Sequence, residues 1–517
     1  MAGNIVPRAN KTTDMGTSIK QWRKIYVSEI AGEAGDAIAL KNSPALTGTP
    51  TAPTATEGNS TTQIATTAFV ATAAANAANS AAASAVNTHN NDTNAHKALF
   101  DDIKAQISII FASTPNYYSE DVPFYADTTY NNTTIATPNK LFLNINDIGC
   151  NLGQRELLDI NEDSTWDTQA TEWAPDTQYK LDDIVYPAIG KNGFYYKCTT
   201  PGTSSVLTPE WPTHVGDTYQ DGNVVWETII DYTQSTNRLG KDFYIYAGIK
   251  EGTLTLVCSA NSTVPRYFTA ETSRKLGGFH CLCASVGTIE GHKLSGYVAG
   301  DVLPASIWDL KHRPKSEPEG MVYVDGLDMW FDIYLNSWTG TTAAKTLKAI
   351  SKFGAVTADG ASNEKFHPLK WEQTLGEQKK RLPWVREFRV FSVGSNQSTN
   401  IYGSADANTA GGHSDTAGRR MISDYGIEDC CGFLWQWCSD VGSATNSNST
   451  YANGFDANDR VDIKGQIYGS EYRPLVGGGW NNGAVCGSRA AAWASSSLNL
   501  SASGGARGAS EPLGSDV

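Results

Sequence analysis

The chain has 517 residues and a mass of 55.6 kDa, a length that suits about three or four domains of roughly 150 residues each rather than one. Apolar residues make up 40% and charged residues 18%, with 48 Gly, 22 Tyr and 14 Trp, so several cores can be buried but the Glu and Lys of long soluble helices are scarce. A net charge of −14 and a pI near 5.1 argue against a nucleic-acid binder, which needs a basic face, and they disfavour an acidic surface as partner.

No apolar run is long enough to span a membrane, and Met1 to Tyr26 holds no apolar signal core, so neither membrane insertion nor signal-directed export is expected and synthesis is placed in a cytoplasm. The nine cysteines are odd in number and irregular in spacing, and Cys281 with Cys283 and Cys430 with Cys431 lack the C-x-x-C spacing of a zinc site. Buried thiols are expected rather than a disulfide framework.

In chain order, residues 1–42 form an arm and residues 43–116 a linker and stalk. Between Lys41 and Lys97 the only formal charges are Glu57 and Asp92, in a Thr-, Pro-, Ala- and Asn-rich stretch with too little apolar surface for a core. Pro44 to Pro53 reads as extended linker, whereas Thr66 to Val86 is dense in Ala and favours helix. A lone Ala helix needs partners. Val86, Phe100, Ile103, Ile107 and Ile110 supply them, falling on alternating steps of three and four in one heptad frame, with Thr93 filling the gap. That is a short coiled-coil seam. His89 and His96 occupy core positions of the same frame, and two readings are open there. In a trimer each would form a ring of imidazoles able to hold a metal ion. Alternatively Asp92 or Thr93 caps a new helix, leaving His89 outside it and His96 in its first turn, with no metal bound.

From Tyr117 the pattern turns to short alternating runs broken by Gly, Pro, Asn and Asp. This predicts a β-rich connector over 117–171, an aromatic β-module over 172–232 and a further β-rich module over 233–300. Lys140 to Ile145, Phe243 to Ile249 and Thr253 to Cys258 are predicted strands. Trp173, Tyr179, Tyr186, Tyr195, Tyr196, Trp211 and Trp226 crowd the aromatic module. Exposed rings of this kind stack on sugars, yet a unit of this size needs large side chains to make a core at all, and core is the expected use of most of them. In the C-terminal domain, 301–517, Ala343 to Lys352 and Trp384 to Phe391 predict short helices. Phe433 to Trp437 predicts a buried strand within a Gly-, Asn- and Ser-rich stretch.

Motifs of several enzyme classes are absent: there is no G-x-S-x-G elbow, H-E-x-x-H helix or G-x-x-x-x-G-K-[ST] loop. His280, His292, His312, His367 and His413 have no carboxylate or Cys companion at a spacing that reveals a triad. Asp456, Asn458 and Asp462 carry oxygen ligands along a polar loop that could hold a structural Ca²⁺. The central Gly and terminal Glu of an EF-hand loop are not at the required offsets, so a solvated turn is expected and no cofactor is assigned.

Three stretches carry a family resemblance. MGTSIKQWRKIYV (Met15 to Val27), followed by SPALTGTPTAPTATEGNSTTQIATTAFV (Ser43 to Val70), resembles the N-terminal part of bacteriophage tail fibres. WAPDTQYKLDDIVYPAIGKNGFYYKCTT with PEWPTHVGDTYQDGNVVWETI resembles a small β-module of phage tail proteins, distantly similar to chitinase-associated carbohydrate-binding modules. LVGGGWNNGAVCGSRAAAWASSSLNLSASGGARGAS (Leu475 to Ser510) is similar to the variable region of proteins diversified by retroelements, whose C-type lectin-like fold is related to the formylglycine-generating enzyme. Pro318 to Val324, Arg381 to Gly394 and Tyr425 to Asp440 resemble the same domain's entry, helix and central strand.

The resemblance implies a multidomain, homotrimeric fibre. An extended N-terminal arm would dock on tail or baseplate proteins, followed by a short trimeric helical coiled coil and β-rich middle modules. A C-terminal α+β C-type lectin-like domain at the fibre tip would attach the virion to a host-cell receptor, protein or glycan. In this family template adenines are randomised, mostly in Asn codons, so a diversified position reaches Ala, Ser, Gly, Val, Leu, Thr or Tyr but not Lys, Glu, Gln, Met or Trp. Leu475 to Ser510 contains none of Lys, Glu, Gln or Met. The resemblance thus implies a fixed framework of Gly477, Gly478, Trp480, Gly487, Ser488, Arg489, Trp493, Gly505, Arg507 and Gly508. The exposed, changeable set is Gly479, Asn481, Asn482, Val485, Ala492, Ala494, Ser495, Leu498, Asn499, Leu500, Ala502, Ser503 and Gly504.

Two other functions share these features. A formylglycine-generating-type oxidase carries two cysteines about five residues apart after its Gly-Gly-Ser-aromatic string. Here Gly477 to Trp480 is followed only by Cys486, and no catalytic residue is assigned. A glycan-binding tail spike would act through the 172–232 module. Cleavage there would need paired carboxylates across a groove, whereas Asp182 and Asp183 are adjacent in sequence.

Overall fold

The computed structural model describes residues 117–119, 123–138, 141–145, 148–152, 154–250, 252–443, 451–453, 466–468 and 471–514, with positions 83, 84 and 87, which are helical. The chain divides into two units, Met1–Asp102 and Ile103–Val517, and every described strand belongs to the second. The arm, the seam of Val86, Phe100, Ile103, Ile107 and Ile110, the histidines His89 and His96, and the loop of Asp456, Asn458 and Asp462 lie outside the described residues.

Among the described residues of the second unit, most of the regular elements are strands. Asp242–Lys250 lies between Thr253–Ser259 and Ser273–His280, with Trp308–Asp309 on the far edge, all antiparallel. Its period-two alternation feeds two cores. Phe243, Ile245 and Ala247 join Ile135, Leu141, Leu143, Ile145 and Trp166, while Tyr244 and Tyr246 face Val257, Trp308, Met321 and Trp330. Successive side chains of a strand point to opposite faces, so a strand apolar on both faces must be covered twice. The connector and the 233–300 module therefore share one core, and that body is continuous with the C-terminal domain. Leu282, Val286, Leu294 and Leu303 likewise pack with Phe331, Phe388 and Phe433, across the boundary expected at 300.

Between these segments the aromatic module has its own core. Its five-stranded sheet is ordered Thr218–Asp221, Val224–Ile230, Phe194–Thr200, Ile184–Tyr186, Thr171–Glu172. Trp173, Tyr179, Tyr196 and Trp226 are buried together, and Trp211 packs against them half-buried. The indole N–H groups of Trp173 and Trp226 both donate to Asp221 Oδ2, at 2.8 and 3.1 Å. One buried carboxylate thereby satisfies two rings whose N–H groups would otherwise be orphaned in the core.

In the C-terminal domain, Trp435–Trp437 sits at the centre of a sheet, antiparallel to Glu471–Gly477 on one side and parallel to Gly504–Gly505 on the other. Two α-helices flank it. Helix α1 spans Pro368–Gly376 and starts on a Pro, which fits the first turn because its missing N–H has no intrahelical partner there. Helix α2 spans Val385–Phe391, inside the predicted Trp384 to Phe391. Glu387 accepts the Trp384 N–H at 2.9 Å and the Arg381 guanidinium at 2.7 and 2.8 Å, and Asp440 accepts the Val385 N–H at 2.7 Å. Acceptors at this end satisfy free N–H groups and suit the helix dipole.

The helix predicted at Ala343 to Lys352 is absent. Residues 342–345 turn, Lys345 adopts φ +53°, and Lys348–Ile350 pairs with Ser337–Thr339. Ala349 is buried with Phe366, Trp371 and Leu375, and its N–H and C=O both bond the Gln378 side chain, at 2.8 and 2.9 Å. The alternation of Leu347 and Ala349 toward that core outweighs the helix preference of the segment's three alanines and three lysines. The eight cysteines from Cys198 to Cys486 are free and buried. Among the described residues no helix is long and apolar enough to cross a membrane, and no group of three or more His, Cys, Asp or Glu is placed to hold a metal ion.

Candidate functional site

The C-terminal stretch takes its backbone from one strand pair. Glu471–Gly477 runs antiparallel to Gly487–Ser496, with Tyr472 opposite Ser496, Arg473 opposite Ser495, Leu475 opposite Ala492 and Val476 opposite Ala491. Between Arg473 and Leu475 the ladder is interrupted: Trp493 and Ala494 stand against Pro474 alone. Proline has no N–H to offer a ladder, and two residues against one form a bulge that re-aims the side chains. A second break follows, where Ser488, Arg489 and Ala490 have no counterpart between Val476 and Gly477.

Arg507 fixes this segment from within. It is fully buried. Its Nε donates to Gln436 Oε1 at 2.7 Å, Nη1 to the carbonyls of Asp332 and Ile333 at 2.8 and 2.9 Å, and Nη2 to the carbonyl of Glu428 at 2.8 Å. Gln436 passes the linkage on, donating to the Cys430 carbonyl at 2.7 Å. Burial pulls the guanidinium pKa down, opposed in part by the nearby Asp429 and Asp332. The Asp332 carboxylate meanwhile accepts from the Gly508 N–H (2.6 Å), Asn336 Nδ2 (2.8 Å) and Lys380 Nζ (2.6 Å). None of these partners is a side chain of the changeable set.

Glycine is required at two adjacent points. Gly477 and Gly478 have φ +89° and +91°. A β-carbon would lie 2.5 Å from the Cys430 carbonyl oxygen at Gly477 and 2.7 Å from Cys486 Sγ at Gly478. Main-chain bonds secure the rest. Ser398 N–H donates to the Cys486 carbonyl (2.8 Å), Gly360 N–H to that of Ser501 (2.9 Å), Trp435 N–H to that of Ser503 (2.8 Å) and Asn336 N–H to that of Ala506 (2.8 Å). Ser488 N–H donates to Gln397 Oε1 at 3.0 Å, and Asn400 Nδ2 donates to the Trp480 carbonyl.

Most of the expected framework is at least half-buried. Gly477, Gly478, Gly487, Gly505, Arg507 and Gly508 are buried, and Trp480 and Ser488 are half-buried. Two members are not. Trp493 is 50% exposed and Arg489 is exposed, because each falls in one of the two ladder breaks. Of the expected changeable set, Asn481, Val485, Ala494, Leu500 and Ala502 are exposed, with Val485 at 63% and Leu500 at 39%. Asn482, Ala492, Ser495, Leu498, Asn499 and Ser503 are half-buried. Asn482 is partly committed, its Oδ1 accepting the Gly479 N–H at 2.8 Å, and Ala492 packs against the cluster of Trp437 and Leu475. Gly479 and Gly504 are buried. A β-carbon at Gly479 would meet Trp435 Cδ1 at 3.1 Å, and one at Gly504 would meet Trp437 Nε1 at 3.1 Å. These two belong with the frame rather than the surface. Gln397, Asn400, Asp332 and Gln436 were not singled out from sequence. Only Gln436 left a signal there, as a lone amide inside the apolar run Phe433 to Trp437.

The β-rich body and its C-terminal platform, with a backbone-held frame and small outward side chains, have counterparts among known proteins. Residues 214–309 match the family described as Mtd second domain. The chain is 29% identical over 293 residues to the "Tail fiber receptor-binding protein" of Bordetella phage BPP-1, a match covering 53% of this chain and 72% of that one. Among solved structures it shares the fold of the "Major Tropism Determinant I1 Variant", with a TM-score of 0.52 and 21% identity, over 79% of this chain and 88% of that chain.

Proposed function

We propose that this chain is a phage tail-fibre receptor-binding protein whose C-terminal face, centred on Asn481, Val485, Ala494, Leu500 and Ala502, attaches the virion to its host cell. One observation carries the reading. The side chains on this face are spared from holding the fold, which rests on Arg507, Asp332, positive-φ glycines and main-chain bonds. A surface whose groups are exchanged freely must be built this way, because replacements at buried, bonded positions destabilise. The similarity to a protein titled a tail fiber receptor-binding protein supports the same assignment. In this reading residues 1–42 attach to the tail, and the seam from Val86 to Ile110 trimerises the fibre. Three weakly binding faces then gain about 10²–10⁴ in apparent affinity through effective concentration.

The packing favours this over the alternatives. In the 172–232 module the rings of Trp173, Tyr179, Tyr196 and Trp226 are consumed by the core, and Tyr186, Phe194, Trp211 and Tyr219 are no more than half exposed to a sugar. The Cys486 thiol, where an oxidase of related fold would need a reactive pair, is pushed up to about 11 by burial, so it is held protonated at neutral pH.

The purified full-length chain is expected to run in light scattering at three times the 55.6 kDa chain mass and to block adsorption of its parent virion to host cells. A chain that leaves adsorption untouched at saturating concentration would contradict the assignment, and a particle of single-chain mass would remove the trimer.

A further inference from the structure

Two cavities share the wall formed by Tyr232 and Ala260. One, of about 810 Å³, lies between the 233–300 module and the C-terminal domain; the other, of about 500 Å³, lies where the connector and that module meet the outer edge of the aromatic module. We infer that together they form one trough that binds an anionic polysaccharide, a sugar chain carrying carboxylate or phosphate groups. No residue of the C-terminal face lines it, and the inference does not depend on what that face binds.

The larger cavity is basic in a chain whose net charge is −14. Lys241, Lys348, Lys352 and Lys379 line it, all four are exposed, and none is ion-paired among the described residues. Part of its acidic lining is already committed. Asp242 accepts the Gly320 N–H at 3.0 Å and lies 2.8 Å from His280 Nδ1, and Glu319 accepts the Tyr244 hydroxyl at 2.9 Å. That leaves Glu317 and Glu377 exposed against the four lysines. Unpaired cations around a concave wall set the local potential, whereas distant charges are screened within about 10 Å.

The smaller cavity holds two polar groups that the fold leaves unused. Thr168 is 6% exposed, and its Oγ1 is buried with no hydrogen-bond partner among the described residues. Arg266 is half-buried and donates its backbone N–H to Asp167 Oδ2 at 2.7 Å, yet its guanidinium has no hydrogen bond or ion pair among those residues. A buried hydroxyl without a partner is destabilising, and a bound polar ligand relieves it.

The apolar parts of the wall decide the class. Val215 and Ile229 line the smaller cavity, Ile350 the larger, and Tyr232 stands between. Its ring is held edge-on by Phe243 at 5.0 Å and packs on Trp166 at 5.4 Å, with Lys241 Nζ 5.3 Å from its centroid. A sugar ring has apolar C–H faces between polar edges and matches a wall in which apolar patches alternate with charged donors. A bare polyphosphate would leave those patches facing charge.

Calorimetry on the purified full-length chain tests this with polysaccharide extracted from host-cell envelopes, used intact, after reduction of its carboxyl groups, and after dephosphorylation. The intact material is expected to bind, more weakly as salt is raised, and at least one treatment to weaken binding roughly tenfold or more; the effective treatment identifies the anion. Lys348→Gln with Lys352→Gln, and separately Arg266→Gln, should each cost a similar factor at an unchanged melting temperature. Thr168→Val should weaken binding without lowering the melting temperature, since it removes an unpaired hydroxyl. The double exchange of Ala494→Tyr with Leu500→Tyr should leave binding as it is. No binding of the intact polysaccharide, or full binding after both treatments, would overturn the proposal, as would unchanged binding by the lysine and Arg266 variants. Loss confined to the Ala494 and Leu500 exchange would move the site to the C-terminal face and overturn the trough. Equal binding of polyphosphate or polyglutamate would reduce it to general anion attraction and overturn the sugar.

Discussion

Replacing Arg507 with Ala is expected to cost the C-terminal domain about 3–5 kcal/mol, the scale set by removing a buried charged group from its partners. Four acceptors would lose their donor at once: Gln436 Oε1 and the carbonyls of Asp332, Ile333 and Glu428. Each buried acceptor left unpaired costs about 1–3 kcal/mol, and water reaches such a site poorly. In a domain of this size, calorimetry should show a melting temperature lower by roughly 10 °C. Arg507→Lys should recover little. A lysine presents its donors from a single nitrogen and cannot span acceptors on separate segments as the planar guanidinium does. A melting temperature within a degree or two of the unaltered protein for Arg507→Ala would show that the segment is held by something else.

The opposite outcome is expected a few residues away. Exchanging both Ala494 and Leu500 for Tyr should change binding to the present host by more than tenfold and permit selection on other strains. Stability should move by less than about 0.5 kcal/mol per site, the range of surface substitutions free of bonded partners. Ala494 is exposed within the bulge, and Leu500 is exposed while its neighbour Ser501 is tied to Gly360 by the main chain. The contrast between Arg507 and this pair defines the design. On the proposed reading, stability resides in groups that face inward and recognition in groups that the fold does not use.

How far this was legible in the sequence depends on what each signal reports. Short runs bounded by Gly, Asn and Asp located Phe243 to Ile249 and Thr253 to Cys258 as strands. At Ala343 to Lys352 the helix-favouring residues dominate the local pattern, and tertiary burial of Leu347 and Ala349 decides for a strand instead. Boundaries were harder. Nothing local in Tyr244 or Leu282 shows that their partners are Trp330 and Phe433, so the connector, the 233–300 module and the C-terminal domain read as separate although they share cores. In the site, the buried glycines and Arg507 belong to the framework that the family resemblance implies, not to anything their residue types show alone. Trp493 misled, since an indole in a small-residue segment reads as core. Its exposure follows from Pro474 on the facing strand, a register effect invisible until the strands are paired. Gly479 and Gly504 misled in the reverse sense, as they are small because Trp435 and Trp437 lie against them.

Amide hydrogen exchange across residues 487–510 tests the central claim most directly, since it reads backbone order without reference to any receptor. Slow exchange is predicted at Ser488, Ala491, Gly504, Gly508 and Ala509, with the same rates in the Ala494→Tyr and Leu500→Tyr protein. Rapid exchange throughout the segment, or protection that collapses when those two side chains are changed, would contradict an ordered platform whose outward groups are interchangeable.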